Sequence, residues 1–291
     1  MPSAPVIAVV NMKGGVGKTT ISGNVFREVF RALRKNVLLI DFDPQYNLSQ
    51  LLVTRAQYEK YREDRRTLWH VMNPEGKPSI FTVSENDLTQ PDPVDRYVVR
   101  LRWLRQQAKI VNLDMLPGDF RTASLNLIAD YAGLRVRRQR FMTFIQDARN
   151  VYDLVVLDCN PSSSFMTRAA IEAATHLLVP VRADKYSILG LEMLREFIRG
   201  LPGLERPPQL MIVVNDVLNA AVQDEVIDQL RSHGEYGPRT LAATIRHSAV
   251  LAAKTDYSGF AVDRKVPYSD TVAQRLRTVA LEIATKAGLP Q

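Results

Sequence analysis

Asn11-Met12-Lys13-Gly14-Gly15-Val16-Gly17-Lys18-Thr19-Thr20 follows the apolar run Val6–Val10 (VIAVV) and precedes a helical pattern. A short continuous apolar run is the signature of a strand buried on both faces. From Thr19 to about Leu33, Val25, Val29, Ala32 and Leu33 fall on one side of a helix. A glycine-rich segment between strand and helix is the context of a phosphate loop: glycine lets successive N–H groups turn toward phosphate oxygens, and the helix N-terminus adds positive potential. In such a loop Lys18 reaches the β- and γ-phosphates and the Thr19 hydroxyl ligates Mg²⁺. The alternative is a plain glycine-rich turn. The usual G-x-x-x-x-G-K-[ST] pattern does not match, since Met12 occupies the first glycine's place, and Lys13 supplies a second lysine.

Outward from the loop, the same grammar repeats. Val37–Ile40 is a second buried run ending at Asp41, so two parallel strands are joined by a right-handed crossover. Leu154–Leu157 ends at Asp158, Leu177–Val181 follows His176, and Leu210–Val214 ends at Asn215. Helical patterns cover Phe141–Ala148, Ser164–Ala174, Leu189–Ile198, Val222–Leu230 and about Asp270–Ala287. This alternation predicts a doubly wound α/β fold with a mostly parallel β-sheet flanked by helices. We read residues 1–291 as one domain. About 52–110, rich in turn signals such as Asn73-Pro74 and Pro91-Asp92-Pro93, is read as an elaboration between core strands.

Composition narrows the classes. The 291 residues carry 38 Lys and Arg against 31 Asp and Glu, a net charge of +7 that suits a polyanionic partner. The single cysteine, Cys159, excludes an intramolecular disulfide and reads as a small packing residue. No apolar run reaches the roughly 18 residues of a membrane span, and no signal peptide is evident, so a soluble, intracellular chain is expected. Two basic clusters, Arg96/Arg100/Arg102/Arg105/Lys109 beside Trp103 and Arg135/Arg137/Arg138/Arg140, are read as solvated faces or as surfaces for DNA or a partner. The four histidines show no metal-ligand spacing.

With its second lysine, the loop resembles the phosphate loop of the ParA/MinD group of deviant Walker A ATPases. The resemblance covers about 5–50, 110–220 and 240–290. It implies an Mg²⁺-dependent P-loop ATPase that binds ATP through Gly14, Gly15, Val16, Gly17, Lys18, Thr19 and Thr20, with Lys18 acting in cis and Lys13 reaching across a nucleotide-sandwich homodimer. Asp41-Phe42-Asp43-Pro44-Gln45 resembles the family's second Walker motif. Asp43 then positions or activates the attacking water and Asp41 supports the Mg²⁺ shell; the alternative is a helix cap and a turn aspartate. Asp158 matches the Walker B aspartate that holds Mg²⁺, although Asn160 stands where the family usually has proline. Asn215 matches the adenine contact, or else starts a turn.

Val179–Leu191 and Thr244–Ser248 with Val250–Lys254 resemble the ParA/Soj branch. That branch implies nonspecific double-stranded DNA binding by the ATP dimer and hydrolysis stimulated by a ParB-like or adaptor protein. It also implies plasmid or chromosome segregation or cargo positioning, at the nucleoid in the cytoplasm. Arg199, Arg246 and Lys254 are the candidate DNA contacts, with Arg264 and Lys265 as further charge; a second family arginine falls on Val250. The alternative for each is a solvated charge. The lone cysteine excludes nitrogenase iron proteins and argues against tail-anchored-protein targeting ATPases, and the tail lacks the tyrosine cluster of the related kinases. A MinD-like membrane-associated regulator is the alternative, against which the narrow, alanine-containing face of the last helix argues. The Asp41–Asp43 pair argues against a binding module without turnover.

Overall fold

The computed structural model describes residues 3–290, apart from 78, 108, 128–130, 161–163, 185, 205, 219–220 and 253–255. The chain runs β1 (Val6–Val9), α1 (Lys18–Leu33), β2 (Val37–Asp41), α2 (Asn47–Leu52), α3 (Arg55–Glu63), α4 (Leu68–Met72), β3 (Val99–Gln106) and β4 (Lys109–Leu116). It continues through α5 (Tyr131–Val151), β5 (Leu154–Asp158), α6 (Phe165–Ala173), β6 (His176–Arg182), α7 (Ser187–Arg199), β7 (Gln209–Asn215), α8 (Ala221–Ser232) and α9 (Ser269–Lys286). The strands form one seven-stranded sheet in the order β3-β4-β2-β5-β1-β6-β7. All neighbours are parallel except β3 against β4.

The continuous apolar runs follow from coverage on both faces. Every residue of β1, β2 and β5 is buried. Ile7, Val9, Leu39 and Val156 face a core that includes Val25 and Val29 of α1 and Val279, Ala280 and Ile283 of α9. Ala8, Ile40 and Leu157 face the opposite core, with Phe141 and Phe144 of α5 and Met166 of α6. The apolar stripe of α9 is thus spent on the core it shares with α1, as the spacing predicts. Among the described residues, no helix is long and apolar enough to cross a membrane.

The stretch 52–110 departs from the expected loop-like elaboration. It contains α3, whose N-terminus is closed by a reciprocal Thr54–Gln57 capping box, then α4 and a β3–β4 hairpin. β4 extends the parallel core beside β2, and β3 is an antiparallel edge. Arginines interleave the edge strand, of which only Val99 is buried, so apolar alternation is masked. Such charge also discourages pairing with another sheet. Of the first basic cluster, Arg100 pairs with Asp114 across the hairpin at 2.9 Å, and Arg102 pairs with Asp263 at 3.1 Å. Trp103 is exposed. The second cluster is corrected more strongly. Arg137 and Arg140 are buried on the inner side of α5 and form no surface for DNA. Arg137 precedes Phe141 by one turn and so shares its core-facing stripe.

Candidate active site

Parallel sheets bind ligands beyond the carboxyl ends of their strands, where neighbouring connections diverge. β1, flanked by β5 and β6, ends there in residues 11–17, and the strand ends bring Asp41, Asp158 and Asn215 to the same rim. Gly15 and Gly17 have φ of 70° and 91°, left-handed values that glycine adopts without strain. Gly17 also caps α1, so the loop delivers its backbone to a helix N-terminus. Thr20 lies in the first helical turn, and Val16 is buried beneath the loop.

Lys18 is buried and its Nζ donates to the carbonyls of Asn11 and Lys13, each at 3.2 Å. Burial lowers its pKa, opposed chiefly by Asp158. Lys13 behaves differently. Its half-exposed ammonium lies outside the loop and pairs with Asp184 on the segment after β6.

Three carboxylates converge behind the loop. Asp41 and Asp158 are register partners on β2 and β5, so their side chains share a face. Asp158 accepts from Thr19 Oγ1 at 2.8 Å and from Ser22 Oγ at 2.7 Å. Burial pushes its carboxyl up to about 6, despite these two hydrogen bonds. Asp41 Oδ2 accepts from Ser49 N at 2.7 Å and Ser49 Oγ at 2.6 Å, while Ser49 Oγ accepts from Gly118 N at 3.0 Å. Burial, with Asp158 beside it, holds Asp41 well above the ordinary carboxylate range. Asp43 is fixed from both sides: Gln45 N donates to Oδ1 at 2.9 Å and Asn47 Nδ2 to Oδ2 at 3.2 Å. Cys159 is buried, and burial raises its thiol pKa, in keeping with a packing role.

Asn215 closes the other side. Its Nδ2 donates to Val16 O at 2.8 Å, and a Cβ on Gly17 would stand only 2.2 Å from that nitrogen. Glycine at 17 is therefore required twice, by φ and by this approach. One amide hydrogen and the carbonyl oxygen of Asn215 remain for other partners.

The donor set suits magnesium. Mg²⁺ takes oxygen ligands, commonly one or two from protein with the rest from water and substrate phosphates. The Thr19 hydroxyl and Asp158 carboxylate provide such oxygens side by side, and the buried Asp41 Oδ1 has no hydrogen-bond partner among the described residues. No group of three His, Cys, Asp or Glu side chains placed to hold a metal ion occurs among the described residues.

The structure does not bring the DNA candidates together. Arg199 ends α7 and shares a cavity with Gln209, the first residue of β7. Arg246 bridges to Val217, just beyond the other end of β7. Seven extended residues at about 3.3 Å each separate these positions along the sheet. Val250 is buried, and Arg264 donates to the carbonyls of Ala261 and Ala252. Lys254, Ala253, Lys185 and the Pro161–Ser163 continuation of the Asp158 motif lie outside the described residues.

Ser22 and Gly118 escape sequence reading, while Ser49, in the Asn47-Leu48-Ser49 stretch that resembles the family's first switch region, and Asp184, in the Val179–Leu191 stretch, are marked there without these partners. Ser22 had a signal, because it lies one turn beyond Thr19 on α1. The other three meet their partners only through tertiary folding.

A family model described as an AAA domain matches residues 4–212. The virulence plasmid ParA family protein pGP5-D of Chlamydia psittaci is 28% identical over 195 residues, 66% of this chain but only 62% of its own length. The chain thus spans less than two thirds of that relative. The chromosome-partitioning ATPase Soj of Thermus thermophilus is 29% identical over 286 residues, covering 96% of this chain and 95% of its own. Among solved structures, pNOB8 ParA bound to nonspecific DNA superposes with a TM-score of 0.69 at 16% identity, over 99% of this chain and 100% of that one.

Proposed function

The chain belongs to the AAA-domain family, and from that premise we propose that it is a ParA/Soj-type P-loop ATPase that binds ATP with Mg²⁺, closes into a homodimer and then holds double-stranded DNA irrespective of sequence. We read 1–291 as one ATPase domain, acting at the nucleoid in DNA segregation or cargo positioning, with slow hydrolysis stimulated by a ParB-like or adaptor protein. The arrangement of Lys18, Thr19 and Asp158 around the glycine loop carries this reading.

Lys18 is already threaded into the loop, so a short swing from the carbonyls of Asn11 and Lys13 takes its ammonium to the β- and γ-phosphates. The N–H groups of Gly14–Thr20 cradle the phosphates at the start of α1. Thr19 and Asp158 are the residues that would hold magnesium, with Asp41 in support; the bound ion neutralises charge on the phosphate oxygens. Asp43, held by Gln45 and Asn47, orients the attacking water. Asp41 acts as a positioning residue, tying Ser49 and Gly118 to the site. Asn215 offers its remaining amide groups to the adenine. Lys13 leaves Asp184 to meet the partner subunit's phosphates, placing positive charge against the transition state.

DNA binding draws support from the +7 net charge and from the relative solved on nonspecific DNA. Arg246 is the candidate contact nearest the nucleotide end of the sheet, and Arg199 and Lys254 complete the proposed set. The membrane alternative loses its main device, because α9 buries its apolar stripe in the core it shares with α1.

Light scattering on the full chain tests the central step. Mass should double with ATP–Mg²⁺ but not with ADP–Mg²⁺, and Lys18→Ala should abolish both nucleotide binding and doubling. A chain that saturates with ATP yet stays monomeric contradicts the sandwich dimer.

A further inference from the structure

Away from the phosphate loop, α4, residues 73–97 and the N-terminal half of α5 enclose a cavity of about 670 Å³. That volume is in the range of small-ligand sites. Five cationic side chains and two carboxylates line it. At its floor Arg140 is 4% exposed and donates to Val71 O, Thr89 O, Thr89 Oγ1 and Gln90 O. One turn earlier on α5, Arg137 is fully buried and donates to Gly133 O and Asn73 Oδ1. Its Nε has no partner, and neither arginine forms an ion pair among the described residues. Burial lowers the pKa of Arg137 to about 10. Guanidinium groups are almost never buried without a compensating charge.

More positive charge gathers at the same place. Trp69 has the Arg121 guanidinium 5.3 Å and the Arg137 guanidinium 6.0 Å from its ring centre. Arg96 also lines the cavity and donates to the carbonyl of Asp64. His70 stays uncharged here and offers the pocket no donor, since its Nε2 is an acceptor toward Arg121. Thr67 Oγ1 gives its proton to Asp119 at 2.7 Å, so at 2.9 Å it accepts from His70 Nδ1, and His70 Nε2 is left facing Arg121 at 3.4 Å. Arg65 pairs with Glu75, Lys77 with Asp87, and Arg121 bidentately with Asp119 at 2.9 and 2.6 Å, so Arg96 and Arg140 are the lining cations that form no ion pair among the described residues, beside an aromatic wall. Arginine forks match phosphate oxygens in pairs.

We propose that this cavity is a second anion site, separate from the phosphate loop, that takes a small ligand bearing a phosphate or pyrophosphate group on Arg96, Arg121 and Arg140. The ligand supplies the negative charge that Arg96 and the buried Arg140 lack. Nothing in this assignment depends on nucleotide binding at Lys18.

Inorganic pyrophosphate is the probe, titrated into full-length Trp103→Phe protein so that Trp69 is the only indole. Saturable change in Trp69 emission is expected, retained in Lys18→Ala and weakened at least tenfold in Arg96→Gln/Arg121→Gln, whose two sites are exposed although Arg121→Gln also removes the charge partner of Asp119. Circular dichroism and the melting transition verify that the double variant is folded. Three results overturn the proposal: no saturable binding, binding lost in Lys18→Ala, or unchanged affinity in the folded double variant. A short DNA duplex that binds through Arg96 and Arg121 where pyrophosphate does not would likewise replace the small ligand with nucleic-acid phosphate.

Discussion

Lys13 Nζ stands 2.6 Å from Asp184 Oδ2 within one chain, and 6.0 Å from the centre of the Tyr186 ring. Partial burial opposes ionisation of Asp184, yet the Lys13 hydrogen bond and the Tyr186 amide hold its carboxyl below the usual range. The lysine proposed to cross to a partner subunit is thereby held at home. The pair is substantially exposed, so it is worth about 0.2–1 kcal/mol. Asp184→Ala should let the ATP dimer form at several-fold lower protein concentration, as read by sedimentation. An unchanged or weaker dimer means that the pair does not restrain Lys13.

Asp43 is locked by Gln45 and Asn47 but makes no ion pair among the described residues, leaving the carboxylate available to a water. Asp43→Ala should retain ATP while phosphate release falls on the order of 10²–10⁴-fold. Turnover at the wild-type rate removes the water-orienting role.

Ser22 supplies one of the two hydroxyl donors to the buried Asp158. Losing a hydrogen bond to a charged acceptor costs about 1.5–3 kcal/mol. Ser22→Ala should lower urea-unfolding stability by that amount. Stability within about 0.5 kcal/mol of wild type, the usual range for neutral surface changes, contradicts the bond's importance.

His70 has its pKa lowered to about 4 by burial and then by Arg121. The unfolded histidine titrates near 6.5. Between those values the unfolded chain binds the extra proton, so stability falls as pH drops from about 6.5 to about 4 and is complete above that window. His70→Asn should remove this component from the wild-type profile. Parallel profiles across the window would show that His70 titrates normally in the folded protein.

Legibility followed range. The phosphate loop, the strand-ending Asp41 and Asp158, and the packing stripe of α9 are local patterns, and the structure places each on the expected element. β3 was hidden because an edge strand studded with arginines has little buried face to read, whereas in the interior β4 Asn112 and Asp114 interrupt the apolar run of Val111, Leu113, Met115 and Leu116. Arg137 and Arg140 read as surface charge by composition, although Arg137, Phe141, Phe144 and Ala148 are spaced for one helical stripe. The Asp41–Ser49–Gly118 clamp was illegible. Its glycine lies 69 positions from Ser49, and only the folded sheet shows that a Cβ on Gly118 would come within 2.9 Å of Asp41 Cγ.

Binding to random-sequence duplex DNA across a salt series, with ATP–Mg²⁺, ADP–Mg²⁺ or no nucleotide, tests the proposed function most directly. Binding should appear with ATP alone, decline linearly in log salt as phosphate contacts release counterions, and weaken in Arg246→Ala. Equal binding in all nucleotide states, or none by a demonstrated ATP dimer, would contradict it.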